Sequence, residues 1–334
     1  FETEISQDNA ILTIYSLNKH LLKTLPIIEQ VLKDASFPEH EVETYVRNRK
    51  SKYIVSSKKV SSVARKKFAE LIFGSQHSYG YNVQLEDYDK LTREDISSFY
   101  KSFYGSNNCK IVVSGKVDDN VLTALNKHFG DNNWKTDSGA SSYNSPAFNT
   151  TSKQKNIVQW EDAIQSALRI GKTMFNKTHP DYAPMQLLNC ALGGYFGSRL
   201  MSNIREDKGY TYGIGSGLVS MQDTGYFFIS TEVGVDVREK ALTEIYKEIK
   251  TIRENLISEN ELELVRNYML GTFLRSASGP FALADKFKSI MDYGLDYTYY
   301  DKYLDSIRHT TPEQLLELAK KYLQEESLIE LVVG

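Results

Sequence analysis

The chain has 334 residues, of which 41% are hydrophobic and 25% charged, and its formal net charge is −3. That length suggests about two domains, each with a sizeable core; the charge excludes a global basic field for nucleic acid and the extreme acidity of a disordered chain. No apolar run approaches the ~18 residues of a spanning helix, so neither nucleic acid nor membrane is an expected partner.

The chain opens on Phe1 instead of Met, which leaves targeting unread at this end. A strand is expected over 9–17 and a helix over 18–35. Residues 47–67, "RNRKSKYIVSSKKVSSVARKK", carry nine Lys or Arg and no Asp or Glu. Such a run is either a solvated helix face or a basic wall of a cavity that receives carboxylates or peptide carbonyls; in the second case like charge keeps divalent cations away. In "LTREDISSFYKSFYGSNNCKIVVSG" (91–115) Thr92 is an N-cap with Asp95 three positions on, and Ile96, Phe99, Tyr100 and Phe103 follow the i, i+3, i+4, i+7 rule, so a one-sided helix feeds an apolar strand. Cys109 in that strand and Cys190 in a later helical run are read as buried thiols and not a disulfide framework, which fits a reducing cytoplasm.

Residues 131–155, rich in Ser, Asn and Thr, read as a linker. Beyond it come a helix over 181–194, a tight helix–helix turn at "LGGYFGSRL" (192–200), and a helix-to-strand corner that separates Arg205 from Tyr212. A strand over 225–234 and a helix over 237–255 follow. The final 25 residues, "TTPEQLLELAKKYLQEESLIELVVG", align without a gap on 91–115 at an offset of 219, Thr311 and Gln314 repeating the cap. Upstream, 37–74 matches 257–294 within a residue, and 9–35 answers 225–255. The expectation is one α+β module used twice, with helices on one face of a mostly antiparallel sheet: a truncated first module at 1–130, a linker at 131–155 and a second module at 156–334. Residues 155–219 have no counterpart in the first copy, which therefore lacks its front.

The visible residues carry no self-contained chemistry. No two of His20, His40, His77, His128, His179 and His309 are closer than 20 positions, against the spacing of about four in a helical zinc pair. "LGGYFGSRL" lacks the Gly-Lys-Ser/Thr ending of a phosphate loop, and neither cysteine sits in a nucleophile setting.

"LGGYFGSRLMSNIREDKGYTYGIGSG", "FPEHEVETYVRNRKSKY" and "LTREDISSFYKSFYGSNNCKIVVSG" resemble the insulinase/pitrilysin family of zinc metallopeptidases, which includes the mitochondrial processing peptidase subunits. The resemblance covers nearly the whole chain. It implies two α+β modules closing on a peptide, one first-half module holding zinc through an inverted His-x-x-Glu-His helix and a later glutamate. The opposing second-half module supplies an arginine and a tyrosine to the substrate carbonyl. On that pattern Arg205 and Tyr212 are the substrate-binding pair. His-x-x-Glu-His is absent here and would lie upstream of Phe1; Lys52 stands where the third zinc ligand is expected, and a lysine at neutral pH has no lone pair to give. The resemblance therefore implies a non-catalytic subunit, with no cofactor of its own, that acts in trans with a homologous zinc-bearing subunit on an extended peptide held against a sheet edge. The alternatives are a zinc endopeptidase whose metal motif precedes residue 1, and a structural scaffold subunit.

Overall fold

The computed structural model describes residues 1–131, 134–136 and 147–334. Part of the expected linker, at 132–133 and 137–146, lies outside the described residues. Two compact units are formed, one from Phe1–Val55, Val83–Ser145 and Gly279–Asp285, the other from Ser56–Asn82, Pro146–Ser278 and Lys286–Gly334, counting described residues only. The units interleave along the chain, whereas the expected division was a single cut between residues 130 and 156.

The first unit opens with a hairpin of β1 (Glu2–Ile5) and β2 (Ala10–Thr13), the latter inside the expected strand at 9–17. Helices α1 (Asn18–Lys33) and α2 (Glu39–Ser57) follow, the last turn of α2 crossing the boundary between units. After α3 (Val60–Phe73), which belongs to the second unit, come α4 (Leu85–Lys90), α5 (Arg93–Phe103) and α6 (Asp119–Phe129). The Thr92 cap forms as expected: its hydroxyl accepts from the Asp95 amide while the Asp95 carboxylate accepts from Thr92. The strand expected in "CKIVVSG" does not form. A strand exists only through its ladder, and no ladder partner stands beside 109–115 among the described residues, so Ile111 and Val113 remain exposed. For the same reason Cys109 is an exposed thiol, not the buried one expected; Cys190 is buried and its pKa is pushed up to about 12.

The second unit is built on a five-stranded sheet with the order β3 (Lys155–Val158), β7 (Ile329–Val333), β4 (Gln165–Met174), β6 (Gly225–Gly234), β5 (Ile214–Ser220). Every pairing is antiparallel except β3 with β7. Alternation along the strands sorts their residues to two faces. Leu168, Ile170, Phe227, Ile229 and Val332 join one core with α7 (Tyr182–Asn189), α8 (Arg238–Glu254), α9 (Glu259–Ser276), α11 (Thr298–His309) and α12 (Pro312–Tyr322). Remaining in order is α10 (Pro280–Met291), whose first turns fall in the first unit. Ala167, Tyr226, Phe228, Ile329, Leu331 and Val333 face the other way, against Ala64, Phe68, Ile72 and Phe73 of α3. The class is α+β with a mostly antiparallel sheet, as expected, and α3 adds a cover on the second face. Among the described residues no helix is long and apolar enough to cross a membrane.

Candidate functional site

Arg205 and Tyr212 lie in the second unit, at a corner whose geometry follows from several fixed contacts. Beyond α7 the helix widens into a π turn at Cys190–Gly194 and, after a reversal, winds again as a π turn at Met201–Asp207, which carries Arg205. Single π turns inside helices are common at functional sites because they shift the side-chain phase. Glycine at 193 is dictated by packing, since a Cβ there would sit 2.7 Å from the Ser216 amide of β5. Arg199 pins the turn to α9 through a two-pronged ion pair with Glu261, at 2.7 and 2.8 Å, and Asn203 donates to both Glu244 and Glu248 of α8. Gly209, at φ +65°, then takes the left-handed conformation that ends the helix.

The Thr211–Gly213 loop is stitched to β6 by hydroxyls. Thr211 Oγ1 donates to the Glu232 carbonyl at 2.7 Å and Thr231 Oγ1 to the Gly213 carbonyl at 3.0 Å. Across the corner Arg205 Nε donates to the Tyr212 carbonyl at 3.0 Å, and the guanidinium lies 4.6 Å from the Phe196 ring centre and 3.8 Å from Glu206. The two residues, seven apart, therefore meet through the Tyr212 backbone. The Tyr212 side chain itself is 96% exposed. One arginine donor is spent on fixing the corner, and the phenol is displayed by it.

Tyr212 also lines a cavity of about 480 Å³ between the sheet and the start of α3, with Ser61, Gln165, Arg169, Thr211 and Ser230. Arg169 was missed at the sequence level; its signal was a lone charge inside the apolar run "QSALRIGKTM". Its guanidinium lies 5.3 Å from the Phe228 ring centre and 5.9 Å from that of Phe68. Burial pulls its pKa below the usual guanidinium range, the nearby Tyr226 phenol opposing and Arg65 adding to the effect.

Lys52 is exposed on α2, in the other unit. Around it the basic window is largely a solvated face: Lys50 meets Asp89, Arg47 donates to Thr44 and Arg49 stacks on Tyr45. Among the described residues no group of three or more His, Cys, Asp or Glu converges to hold a metal ion, and an ammonium at Lys52 is not a ligand. The described residues do not fit zinc.

The second unit is thus an α+β module with a two-faced sheet and a π-helical corner. A family model described as "Peptidase M16 inactive domain" matches residues 90–269, more than half of the chain. The chain belongs to that family. It is 22% identical over 262 residues to the "Uncharacterized zinc protease YmxG" of Bacillus subtilis, covering 78% of this chain and 62% of that protein. It is 23% identical over 256 residues to the "Probable inactive metalloprotease YmfF" of the same organism, covering 75% and 58%. The chain thus spans less than two thirds of these relatives' length. The crystal structure of a peptidase M16 inactive domain from Pseudomonas fluorescens superimposes with a TM-score of 0.84 at 19% identity, over 93% of this chain and 74% of that one, which shows a shared fold.

Proposed function

We propose that this chain is the non-catalytic half of a two-subunit metallopeptidase, built from modules at 1–130 and 156–334 joined by 131–155. It presents the Tyr212 phenol, with Arg205 behind it, to a peptide cut at the zinc of a homologous subunit. The observation that carries this reading is the corner itself: a fully displayed phenol, held by Arg205 Nε on its own backbone carbonyl, on a chain whose described residues offer no metal-donor group. Donors fixed in advance stabilise a carbonyl as it becomes an oxyanion without reorganising at the moment of attack. The phenolic O–H donates directly. Arg205 fixes where that O–H points and keeps its remaining donors for the peptide.

The extended peptide is not assigned to the sheet edge at β5. Two of that strand's carbonyls, at Ser216 and Leu218, already accept from the Asn189 and Gln186 side chains, so strand pairing falls to the partner. Lys52 marks the lost third ligand, and the zinc resides in the partner alone.

The test is cleavage of a quenched peptide by the zinc-bearing homologue with and without this chain. Tyr212→Phe lowers kcat/KM of the pair by on the order of 10²-fold and leaves the chain's thermal unfolding unchanged. A pair indifferent to Tyr212→Phe and to Arg205→Ala sinks this proposal in favour of a structural scaffold. A second reading, a zinc peptidase in its own right, is favoured by the longer Bacillus subtilis relative named a zinc protease. Chelator-sensitive cleavage by the full protein alone, with about one zinc bound, would establish it.

A further inference from the structure

The sheet face under α3 holds an unbalanced pair of cations. Arg169 projects from β4 on the side shared by Ala167, Tyr226, Phe228 and Leu331, opposite Ser230 in the ladder. Arg65, from the basic window, sits on α3 close enough to repel it electrostatically, and both guanidiniums act on the Tyr226 phenol. Among the described residues neither arginine has a carboxylate partner or a hydrogen bond; the charged group felt most by Arg169 besides Arg65 is a phenol. Arg169 is the desolvated one, over the Phe68 and Phe228 rings, and the exposed Arg65 adds repulsion to it; an arginine without an acid in contact in such a place is the half of an ion pair whose other half arrives from outside.

Arg169 lines the cavity of about 480 Å³ described above, together with hydroxyls and amides from Ser61, Gln165, Thr211 and Ser230. Glu232 lines the same cavity, two residues from Ser230 along β6. It disfavours a multiply charged guest there, which selects a single carboxylate over a phosphate dianion. We propose that this cavity binds one carboxylate of a peptide, with Arg169 as the main contact, Arg65 as a second cation acting from beside it and the Ser61 and Ser230 hydroxyls as neutral partners. The inference uses the second unit only and does not depend on a zinc-bearing subunit, so it stands or falls apart from the two-subunit reading.

The test is fluorescence anisotropy of the chain alone with a labelled, extended eight-residue peptide, acetylated and amidated, carrying one central Glu, against the same peptide with Gln. The Glu peptide binds on the order of tenfold tighter or more, the contribution of a charge-assisted contact. Arg169→Gln erases that preference. Arg65→Gln, on an exposed position that does not threaten folding, reduces it several-fold. A third peptide with no acidic side chain and a free C-terminus distinguishes the carboxylate's source: preference for it assigns a chain end, preference for the Glu peptide a side chain. No preference for either carboxylate-bearing peptide over the Gln peptide, binding of none of the three, or a preference unmoved by Arg65→Gln and by folded Arg169→Gln would overturn the proposal. So would displacement of the peptide by inorganic phosphate at concentrations where acetate has no effect.

Discussion

The stretches 92–114 and 311–333 separate local from non-local coding. Helix α5 begins at Arg93 and ends at Phe103; α12 begins at Pro312 and ends at Tyr322; a single 3-10 turn follows each, at Ser106–Asn108 and Glu325–Ser327. Both helices carry the reciprocal cap, Thr92 with Asp95 and Thr311 with Gln314. One residue later the two part. Ile329–Val333 becomes a fully buried strand between β3 and β4, whereas 110–114, with Ile111, Val112 and Val113 in a row, pairs with nothing among the described residues. A capping box and an amphipathic turn are satisfied within a dozen residues, but half of each hydrogen bond in a strand is supplied by another segment.

The sharpest break of this comparison is a pair of truncations. Leu331→Ala, at a site with no exposed surface, costs about 2–5 kcal/mol in the second unit. Ile111→Ala, on the matching apolar run, stays within about 0.5 kcal/mol. Each tryptophan reports one unit, Trp134 the first and Trp160 the second, so urea unfolding followed in Trp134→Phe and Trp160→Phe backgrounds reads the two costs separately. A large loss for Ile111→Ala would show that 110–114 is paired in solution. Hydrogen exchange sharpens the same contrast: the amides of β7 exchange only through global opening of their unit, those of 110–114 through local fluctuation. The caps should erase the difference. Thr92→Ala and Thr311→Ala each cost about 1 kcal/mol in their own unit, measured in the same two backgrounds.

The smallest effect is a pH dependence confined to the second unit. His77 is buried against Phe73, Tyr79 and Phe148, its Nδ1 accepts from the Tyr79 amide, and burial holds its pKa below the ordinary 6.5. The unfolded chain then takes up this proton before the folded one does. The contribution is present above pH 6.5 and is lost as pH falls below it. His77→Gln flattens that part of the profile; an unchanged slope would mean that the ring is charged without cost where it sits.

What the sequence made legible follows the same division. Helix limits, caps and the β6–α8 passage at 225–254 could be read because their signals are short-range. The family likeness rested on 37–53, 91–115 and 192–217, and the pairing of Arg205 with Tyr212 across one corner was read from that likeness. Its form was not: the carbonyl of Tyr212 takes the guanidinium, a backbone interaction that no side-chain pattern announces. Also hidden were the ion pair of Arg199 with Glu261, 62 positions apart, and the cover that α3 gives to a sheet 90 to 270 residues downstream. These depend on how segments meet, and a single sequence without aligned relatives does not say which segments do.

The place of β7 in the sheet has a consequence for the order of events during synthesis. Among the described residues strand β3, at 155–158, pairs with β7 alone, and β7 also joins β3 to β4. Until residues 329–333 leave the ribosome, β3 has nowhere to dock and β4 presents an open edge, so the helices between them must wait beside a three-stranded sheet with one raw flank. Closing a loop of that length is slow and comes late. During that interval the nascent second unit is exposed to strand capture by other chains, and a holding chaperone would act there, before the final strand arrives.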